Sequence, residues 1–167
     1  MAPRVVFVDD DPMLLASTCR GLRDTLEHVD IKYFDNGRSA LGYLEENAAD
    51  IVFSDIRMPE MDGEELLNRI AAKFPDTIRF AITAQAEPDQ LKRVFATAHQ
   101  IFAKPWVIDR LQDTIRDAIV LRSRIQASDL RTWITGWRLN NVGGTQLSSN
   151  TQQLAVTRII GLANSSY

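Results

Sequence analysis

Several features are scarce or absent in this chain of 167 residues. Its one cysteine, Cys19, cannot form an internal disulfide, which suits a reducing compartment. No apolar run approaches the roughly 20 residues that span a bilayer, and the first residues enter a predicted strand without the apolar region of a signal peptide. These absences predict a cytoplasmic protein that does not cross a membrane.

An excess of positive charge is also absent. The net charge is −3, and the chain contains no Lys/Arg-rich run. Because nucleic-acid binding depends on clustered positive charge, the composition predicts no nucleic-acid partner. Hydrophobic residues make up 45% of the chain and charged residues 25%, which is ordinary for a globular protein and sufficient for one domain with a real core.

Short apolar runs alternate with longer segments of helical period through most of the chain. This alternation is the pattern of strand and helix units around a parallel sheet. The predicted elements are strands at 4–8, 30–34, 50–54, 77–82 and 100–103, and helices at 12–27, 37–46, 63–73 and 88–97, with a fifth helix that starts near 107. The sequence therefore predicts an α/β fold with a doubly wound, five-stranded parallel sheet.

The C-terminal part of the chain departs from this pattern. From 107 to 137 there is no proline and the first glycine is Gly136, so we expect the last helix to extend past the domain. Residues 1–124 carry 21 acidic and 16 basic side chains, whereas residues 125–167 carry 1 and 3. The predicted organisation is a domain at 1–122, a helical extension at 123–138, and a linker with a short amphipathic tail segment at 139–167.

Polar residues mark the ends of four predicted strands: Asp9 and Asp10 after the first, Asp55 after the third, Thr83 after the fourth, and Lys104 with Pro105 after the fifth. The carboxyl ends of parallel strands share one edge of the sheet, so these side chains can meet. Crowded carboxylates either take up a proton or bind a hard divalent cation, and their oxygens suit Mg²⁺. Such a site has room for a phosphoryl group, and a carboxylate can itself be the nucleophile that accepts it.

Four motifs contain these strand-end residues: Val-Asp-Asp-Asp-Pro at 8–12, Ser-Asp-Ile-Arg-Met-Pro-Glu-Met-Asp-Gly at 54–63, Ile-Thr-Ala at 82–84 and Ala-Lys-Pro-Trp at 103–106. Together they resemble the receiver domain of bacterial two-component response regulators. The resemblance covers roughly residues 3–122. It implies a flavodoxin-like sheet with the strand order 2-1-3-4-5.

The resemblance implies that Asp55 is the phosphoacceptor in a Mg²⁺ site. Asp10 would bind the cation directly, Asp9 would bind it directly or through water, and the backbone carbonyl of Arg57 would supply a further ligand. The phosphoryl group would come from a histidine kinase, a phosphotransfer protein or a small phosphodonor. We expect a signalling switch that only phosphorylates itself and slowly loses the group, not a turnover enzyme.

The same resemblance implies a response to phosphorylation. Thr83 would be the switch hydroxyl, and Lys104, with a cis bond before Pro105, would contact the phosphoryl group. The added charge would reorder the loop and helix after Thr83, so that the face at 87–121 binds partners or a second copy of the chain. Receivers commonly carry an aromatic residue where this chain has Ile101, and the usual aromatic coupling is therefore not expected.

Two other functions stay open. One is a Mg²⁺-dependent phosphatase of the haloacid dehalogenase class, which also uses an aspartate nucleophile, a Thr or Ser, and a Lys. That class expects small residues after its Asp-x-Asp motif, whereas Pro12 follows the aspartates here. The other is a phosphate-independent interaction adaptor, in which the C-terminal segment governs binding.

A second, weaker similarity is to receivers attached to HD-type phosphodiesterase domains or to the related HDOD output domains. It lies at 98–106 and 121–136. No His-Asp pair follows Gly136, so the sequence predicts no complete output domain of that kind. Within this stretch, His99 is predicted to be a surface or strand-end residue and not a metal ligand.

Overall fold

Strands and helices alternate along the residues that this computed structural model describes, which are 2–23, 25–84 and 88–124. The strands are β1 (Arg4–Val8), β2 (Asp30–Phe34), β3 (Ile51–Asp55), β4 (Ile78–Thr83) and β5 (Gln100–Ala103). The helices are α1 (Pro12–Arg23), α2 (Gly37–Glu46), α3 (Gly63–Lys73), α4 (Pro88–Thr97) and α5 (Ile108–Arg124). The five predicted strands and the five helices that accompany them are all present, and among the ends that lie within the described residues only the C-terminal end of α1 differs from its prediction by more than one residue.

The five strands form one parallel sheet in the order β2-β1-β3-β4-β5. This order confirms the predicted doubly wound, flavodoxin-like fold. β3 and β4 are buried along their whole length, as expected where helices cover both faces of a parallel sheet. Because β3 lies directly beside β1, the two strands that lead into aspartates end next to each other.

Helices cover the two faces of the sheet unequally. On one face, α1 and α5 pack over an aromatic row in which Phe53 stacks 4.7 Å from Phe7 and lies 4.7 Å from Phe80, measured between ring centroids. Aromatic pairs of this kind contribute about 0.5–1.5 kcal/mol each beyond the area that they bury. On the other face, α2, α3 and α4 cover the shorter aliphatic side chains of the sheet. The larger aromatic side chains of the core thus lie on the α1 and α5 face.

The prediction that the first helix reaches residue 27 is wrong. α1 ends at Arg23, and the amides of Thr25 and Leu26 both point back to the carbonyl of Leu22 in a turn. Leu26 is buried in the core from that turn. Leu22 and Leu26 are four residues apart, a spacing typical of a helix, but both are buried although only Leu22 lies in the helix.

The predicted C-terminal extension at 123–138 and the tail at 139–167 lie almost entirely outside the described residues, since α5 is described as far as Arg124. Among the described helices, none has the length and apolar character needed to cross a membrane.

Gly63 begins α3 directly against the end of β3. Its amide donates to the carbonyl oxygen of Ile56 at 2.9 Å, and a Cβ built on Gly63 would lie 1.9 Å from the carbonyl oxygen of Asp55. That neighbour is backbone, which cannot rotate away. By contrast, a Cβ on Gly42, an exposed residue within α2, meets nothing within 4 Å. Position 63 thus requires glycine, because the backbone of Asp55 leaves no space for a Cβ atom. Position 42 has space for one.

We predict opposite effects of Gly63→Ala and Gly42→Ala on the free energy of unfolding, measured by urea denaturation. Gly63→Ala should destabilise by about 3 kcal/mol or more, because the backbone at Asp55 must move to admit the methyl group. Gly42→Ala should stabilise by about 0.5–1 kcal/mol, since alanine restricts the unfolded chain and fits an exposed helix interior. Equal and small effects at the two positions would contradict the packing described for Gly63.

Candidate functional site

Three carboxylates meet at the carboxyl edge of the sheet. Asp9 and Asp10 directly follow β1, and Asp55 is the last residue of β3. One carboxylate oxygen from each residue lies within 4.8 Å of the other two. Asp9 and Asp55 are buried, whereas Asp10 is exposed, so the cluster meets solvent at Asp10.

Lys104 bridges the two buried carboxylates. Its Nζ lies 2.6 Å from Oδ2 of Asp9 and 2.6 Å from Oδ2 of Asp55. Lys104 directly follows β5, so this contact joins the ends of three strands of the sheet. The lysine side chain is 16% exposed. Water therefore screens the two ion pairs less than it screens pairs on the open surface.

Burial and charge displace the pKa values of two of these groups. Burial raises the pKa of Asp9, an effect that the Lys104 ammonium group and the Asp11 amide oppose and that the Asp55 carboxylate reinforces. Burial lowers the pKa of Lys104, but its contacts with Asp55 and Asp9 together outweigh burial, and the net pKa is raised. Lys104 therefore keeps its positive charge at neutral pH.

Backbone amides orient the other oxygen of each buried carboxylate. The amide of Asp11 donates to Oδ1 of Asp9 at 3.0 Å, and the amide of Arg57 donates to Oδ1 of Asp55 at 3.3 Å. Asp11 in turn caps α1, since its Oδ1 accepts hydrogen bonds from the amides of the first helical turn. Each buried carboxylate thus has one oxygen facing an amide and the other facing Lys104.

The donor set fits a divalent cation. Oδ2 of Asp9 is buried; it forms an ion pair with Lys104 but accepts no hydrogen bond of good geometry. Carboxylate oxygens are the hard ligands that Mg²⁺ prefers, and this ion commonly keeps several waters beside one or two carboxylates. Asp9, Asp10 and Asp55 could therefore hold Mg²⁺, with solvent reaching the ion beside Asp10. The backbone carbonyl of Arg57 stays a predicted ligand.

Thr83 and Pro105 lie beside this cluster. Thr83 ends β4 and is buried, and it follows Ile82, the residue paired with Asp55 in the sheet. The amide of Lys104 donates to the carbonyl oxygen of Thr83 at 2.8 Å. The peptide bond between Lys104 and Pro105 is cis. The ends of four neighbouring strands in the sheet therefore contribute to one region.

Ile101 and Phe102 lie on opposite faces of β5. Ile101 is partly buried against an aliphatic cluster on the α3 and α4 face, whereas Phe102 is buried in the aromatic row on the α1 and α5 face. Phe102 therefore cannot supply the aromatic ring that position 101 lacks.

Of the two positions predicted for His99, a surface or a strand end, the structure shows the strand end. His99 directly precedes β5 and is only 6% exposed. Its Nδ1 accepts a hydrogen bond from the backbone amide of Arg79 at 2.8 Å, and its Nε2 lies 3.0 Å from the Arg79 guanidinium group. Sequence reasoning missed Arg79, a buried residue of β4. The available signal was a charged side chain inside an otherwise apolar strand.

A family model described as the response regulator receiver domain matches residues 5–116. The chain belongs to this family. The matched range contains the carboxylate cluster, Thr83 and Lys104, so the receiver resemblance and the geometry of the site concern the same residues. Receiver domains are phosphorylation-dependent switches of two-component signalling, which interact with histidine kinases or phosphotransfer proteins and bind Mg²⁺ at an acidic pocket.

Curated relatives of this receiver include transcriptional regulatory proteins. The C4-dicarboxylate transport transcriptional regulatory protein DctD of Rhizobium meliloti (strain 1021) is 35% identical over 120 residues, which cover 70% of this chain and 25% of DctD. The transcriptional regulatory protein PrrA of Mycobacterium tuberculosis (strain ATCC 25618 / H37Rv) is 28% identical over 158 residues, which cover 94% of this chain and 67% of PrrA. The alignment with DctD thus spans only about a quarter of that protein's length.

Solved structures show the same fold. The receiver domain of an HD domain-containing protein from Pseudomonas fluorescens Pf-5 superposes with a TM-score of 0.69 at 23% identity and covers 75% of this chain and 100% of that one. A CheY-like receiver from Methanospirillum hungatei JF-1 has a TM-score of 0.68 at 23% identity, with coverage of 74% and 98%. Nothing in these comparisons or in the site favours the haloacid dehalogenase phosphatase or the phosphate-independent adaptor.

We predict that Lys104→Met destabilises the receiver much more than Lys73→Met. Without divalent cations, Lys104→Met should cost about 2 kcal/mol of unfolding free energy, because two buried carboxylates lose their counter-charge. Mg²⁺ should restore more stability to this variant than to the wild type, since the cation can replace the ammonium group.

Lys73 provides the matched control for this measurement. It forms an exposed ion pair with Glu45 on the surface, so its replacement should cost less than about 1 kcal/mol and should not change the response to Mg²⁺. Urea unfolding in chelator and in Mg²⁺ measures both quantities. The description of the site is wrong if the two variants lose the same stability and respond equally to the cation.

Proposed function

We propose that Asp55 is the phosphoacceptor of this receiver and that its phosphorylation changes the protein-binding surface of the domain. The observation that carries the proposal is the convergence of Asp55 with Asp9 and Asp10 under the charge of Lys104. Asp9, Asp10 and Asp55 would hold Mg²⁺, together with the backbone carbonyl of Arg57. When bound, this ion would neutralise charge on the phosphoryl oxygens.

The proposed reaction is one in-line transfer. An oxygen of Asp55 attacks the phosphorus of a phosphohistidine or of a small acyl phosphate, and a new P–O bond forms. The bond from phosphorus to the donor nitrogen or oxygen breaks, and its electron pair leaves with the donor. Lys104 would offer positive charge to a phosphoryl oxygen, and the hydroxyl of Thr83 would donate a hydrogen bond to another.

The proposed response follows from the change of charge at Asp55. A phosphoryl group of about −2 charge replaces a carboxylate, which would draw Thr83 toward the site and reposition α4. The face formed by α4, β5 and α5 would then bind a protein partner or a second copy of the chain. Burial of Thr83 at the end of β4 supports this path, because its strand leads directly toward α4.

The proposed setting is the cytoplasm, with a histidine kinase or phosphotransfer protein as the phosphodonor. We propose that hydrolysis of the phosphorylated form is slow and that each molecule accepts one phosphoryl group, so that the chain acts as a switch and not as a turnover enzyme. The single cysteine and the absence of long apolar runs support this setting.

We predict that incubation with acetyl phosphate and Mg²⁺ adds a single phosphoryl group to the intact protein, as measured by mass spectrometry. Asp55→Asn should abolish the addition, because the amide oxygen is a far weaker nucleophile than the carboxylate. Removing Mg²⁺ with a chelator should have the same result.

Asp117→Asn serves as the matched control, because Asp117 is an exposed aspartate of α5. It should accept the phosphoryl group at the wild-type level. Two outcomes would overturn the proposal: undiminished addition to Asp55→Asn, or continuous release of phosphate over many turnovers, which is the behaviour of a phosphatase.

A further inference from the structure

The C-terminal end of α4 is held firmly from within the protein. Nε of Arg79, a buried residue, donates to the carbonyl oxygen of Thr97 at 3.0 Å. Thr97 is the last residue of α4, and only two residues separate it from β5. This end of α4 is therefore anchored to the sheet, and we expect a displacement of the helix to be larger toward its N-terminal end.

A side-chain contact joins α4 to α3 closer to its middle. Nε of Arg93 on α4 lies 2.8 Å and 3.1 Å from the two carboxylate oxygens of Glu64. The Glu64 side chain is 19% exposed, although that of Arg93 is 58% exposed. Hydrogen bonding to Glu64 raises the pKa of Arg93. The single Nε–H of Arg93 thus faces both oxygens of the carboxylate in a bifurcated contact.

The backbone of Glu64 is positioned by its neighbour Gly63, which contacts the candidate site. Glu64 follows Gly63, which packs against the backbone of Asp55 and donates to Ile56. The position of Glu64 is therefore set by the loop that leaves Asp55, while Arg93 moves with α4. Any shift of α4 relative to that loop changes the distance between the two charges.

We propose that the Glu64–Arg93 ion pair restrains α4 in the arrangement seen here and so opposes the change that accompanies phosphorylation of Asp55. This inference rests on the proposed function, because it assigns regulation to the same site. The pair stabilises the arrangement seen here, and a movement of α4 away from α3 stretches it. Removing it therefore favours the phosphorylated arrangement, and a ligand selective for that arrangement binds more tightly.

The test measures the affinity of beryllofluoride, a phosphoryl mimic, in the presence of Mg²⁺ by ¹⁹F NMR of the full chain. Glu64→Gln and Arg93→Gln should each raise the apparent affinity about two- to fivefold, the range that exposed ion pairs provide. The double variant should gain no more than either single variant, because both remove the same contact.

Glu65→Gln is the matched control. Glu65 lies in the same helical turn and pairs with Arg69 of its own helix, so this variant removes the same charge without touching α4. Its affinity for beryllofluoride should equal that of the wild type. An equal gain in Glu64→Gln and Glu65→Gln would show a general charge effect and would overturn the proposed restraint. The restraint is also overturned if neither Glu64→Gln nor Arg93→Gln gains affinity for beryllofluoride.

Hydrogen exchange of the α4 amides separates this inference from the proposed function. If the wild type binds no beryllofluoride, the proposed function fails, and exchange still reports on the restraint. Exchange should be faster in Glu64→Gln and Arg93→Gln than in the wild type, and unchanged in Glu65→Gln. Identical exchange in all four proteins would overturn the restraint even where the mimic binds.

Discussion

The Lys104 ammonium group, 2.6 Å from both Asp9 and Asp55, is the interaction on which the rest of the site depends. Two carboxylates buried side by side repel each other, and burial alone penalises their charge. The lysine supplies the opposing charge from a different strand, β5, and so offsets part of this repulsion and part of the cost of burial. The same arrangement keeps the carboxylates ready to bind Mg²⁺, because a second positive charge can replace or join the first.

The backbone fixes the positions from which these charged side chains extend. Parallel pairing of β1 with β3, and of β4 with both β3 and β5, aligns the strand ends, and Gly63 packs the start of α3 against Asp55. The site is therefore a continuation of the sheet instead of a free loop. A change at Asp55 has a direct route to α3, and through Glu64 and Arg93 to α4. The proposed movement of α4 would thus be linked to chemistry at Asp55 by ordinary packing contacts.

Much of this could be predicted from sequence, because strand ends obey a simple geometric rule. Asp9, Asp55 and Lys104 follow apolar runs, and parallel strands must bring such residues to one edge. The charged Arg79 in an apolar strand was visible in the sequence, but its partners could not be predicted, since its guanidinium group donates to carbonyl groups of the turn before β4 and of the end of α4, which the fold brings together. The same holds for contacts between helices, which depend on packing angles that periodicity does not encode.

Paramagnetic broadening by Mn²⁺ tests the central claim most directly, because Mn²⁺ accepts the same oxygen ligands as Mg²⁺. In a ¹⁵N-correlated NMR spectrum of the full chain, substoichiometric Mn²⁺ should broaden the backbone amide signals of residues 9–11 and 55–57 and of Lys104, and Mg²⁺ should reverse the effect. Signals at the amino ends of the strands, near residues 27–30, should keep their width. Broadening confined to these amino ends, or no broadening at residues 9–11 and 55–57, would contradict a cation site formed by the converging carboxylates.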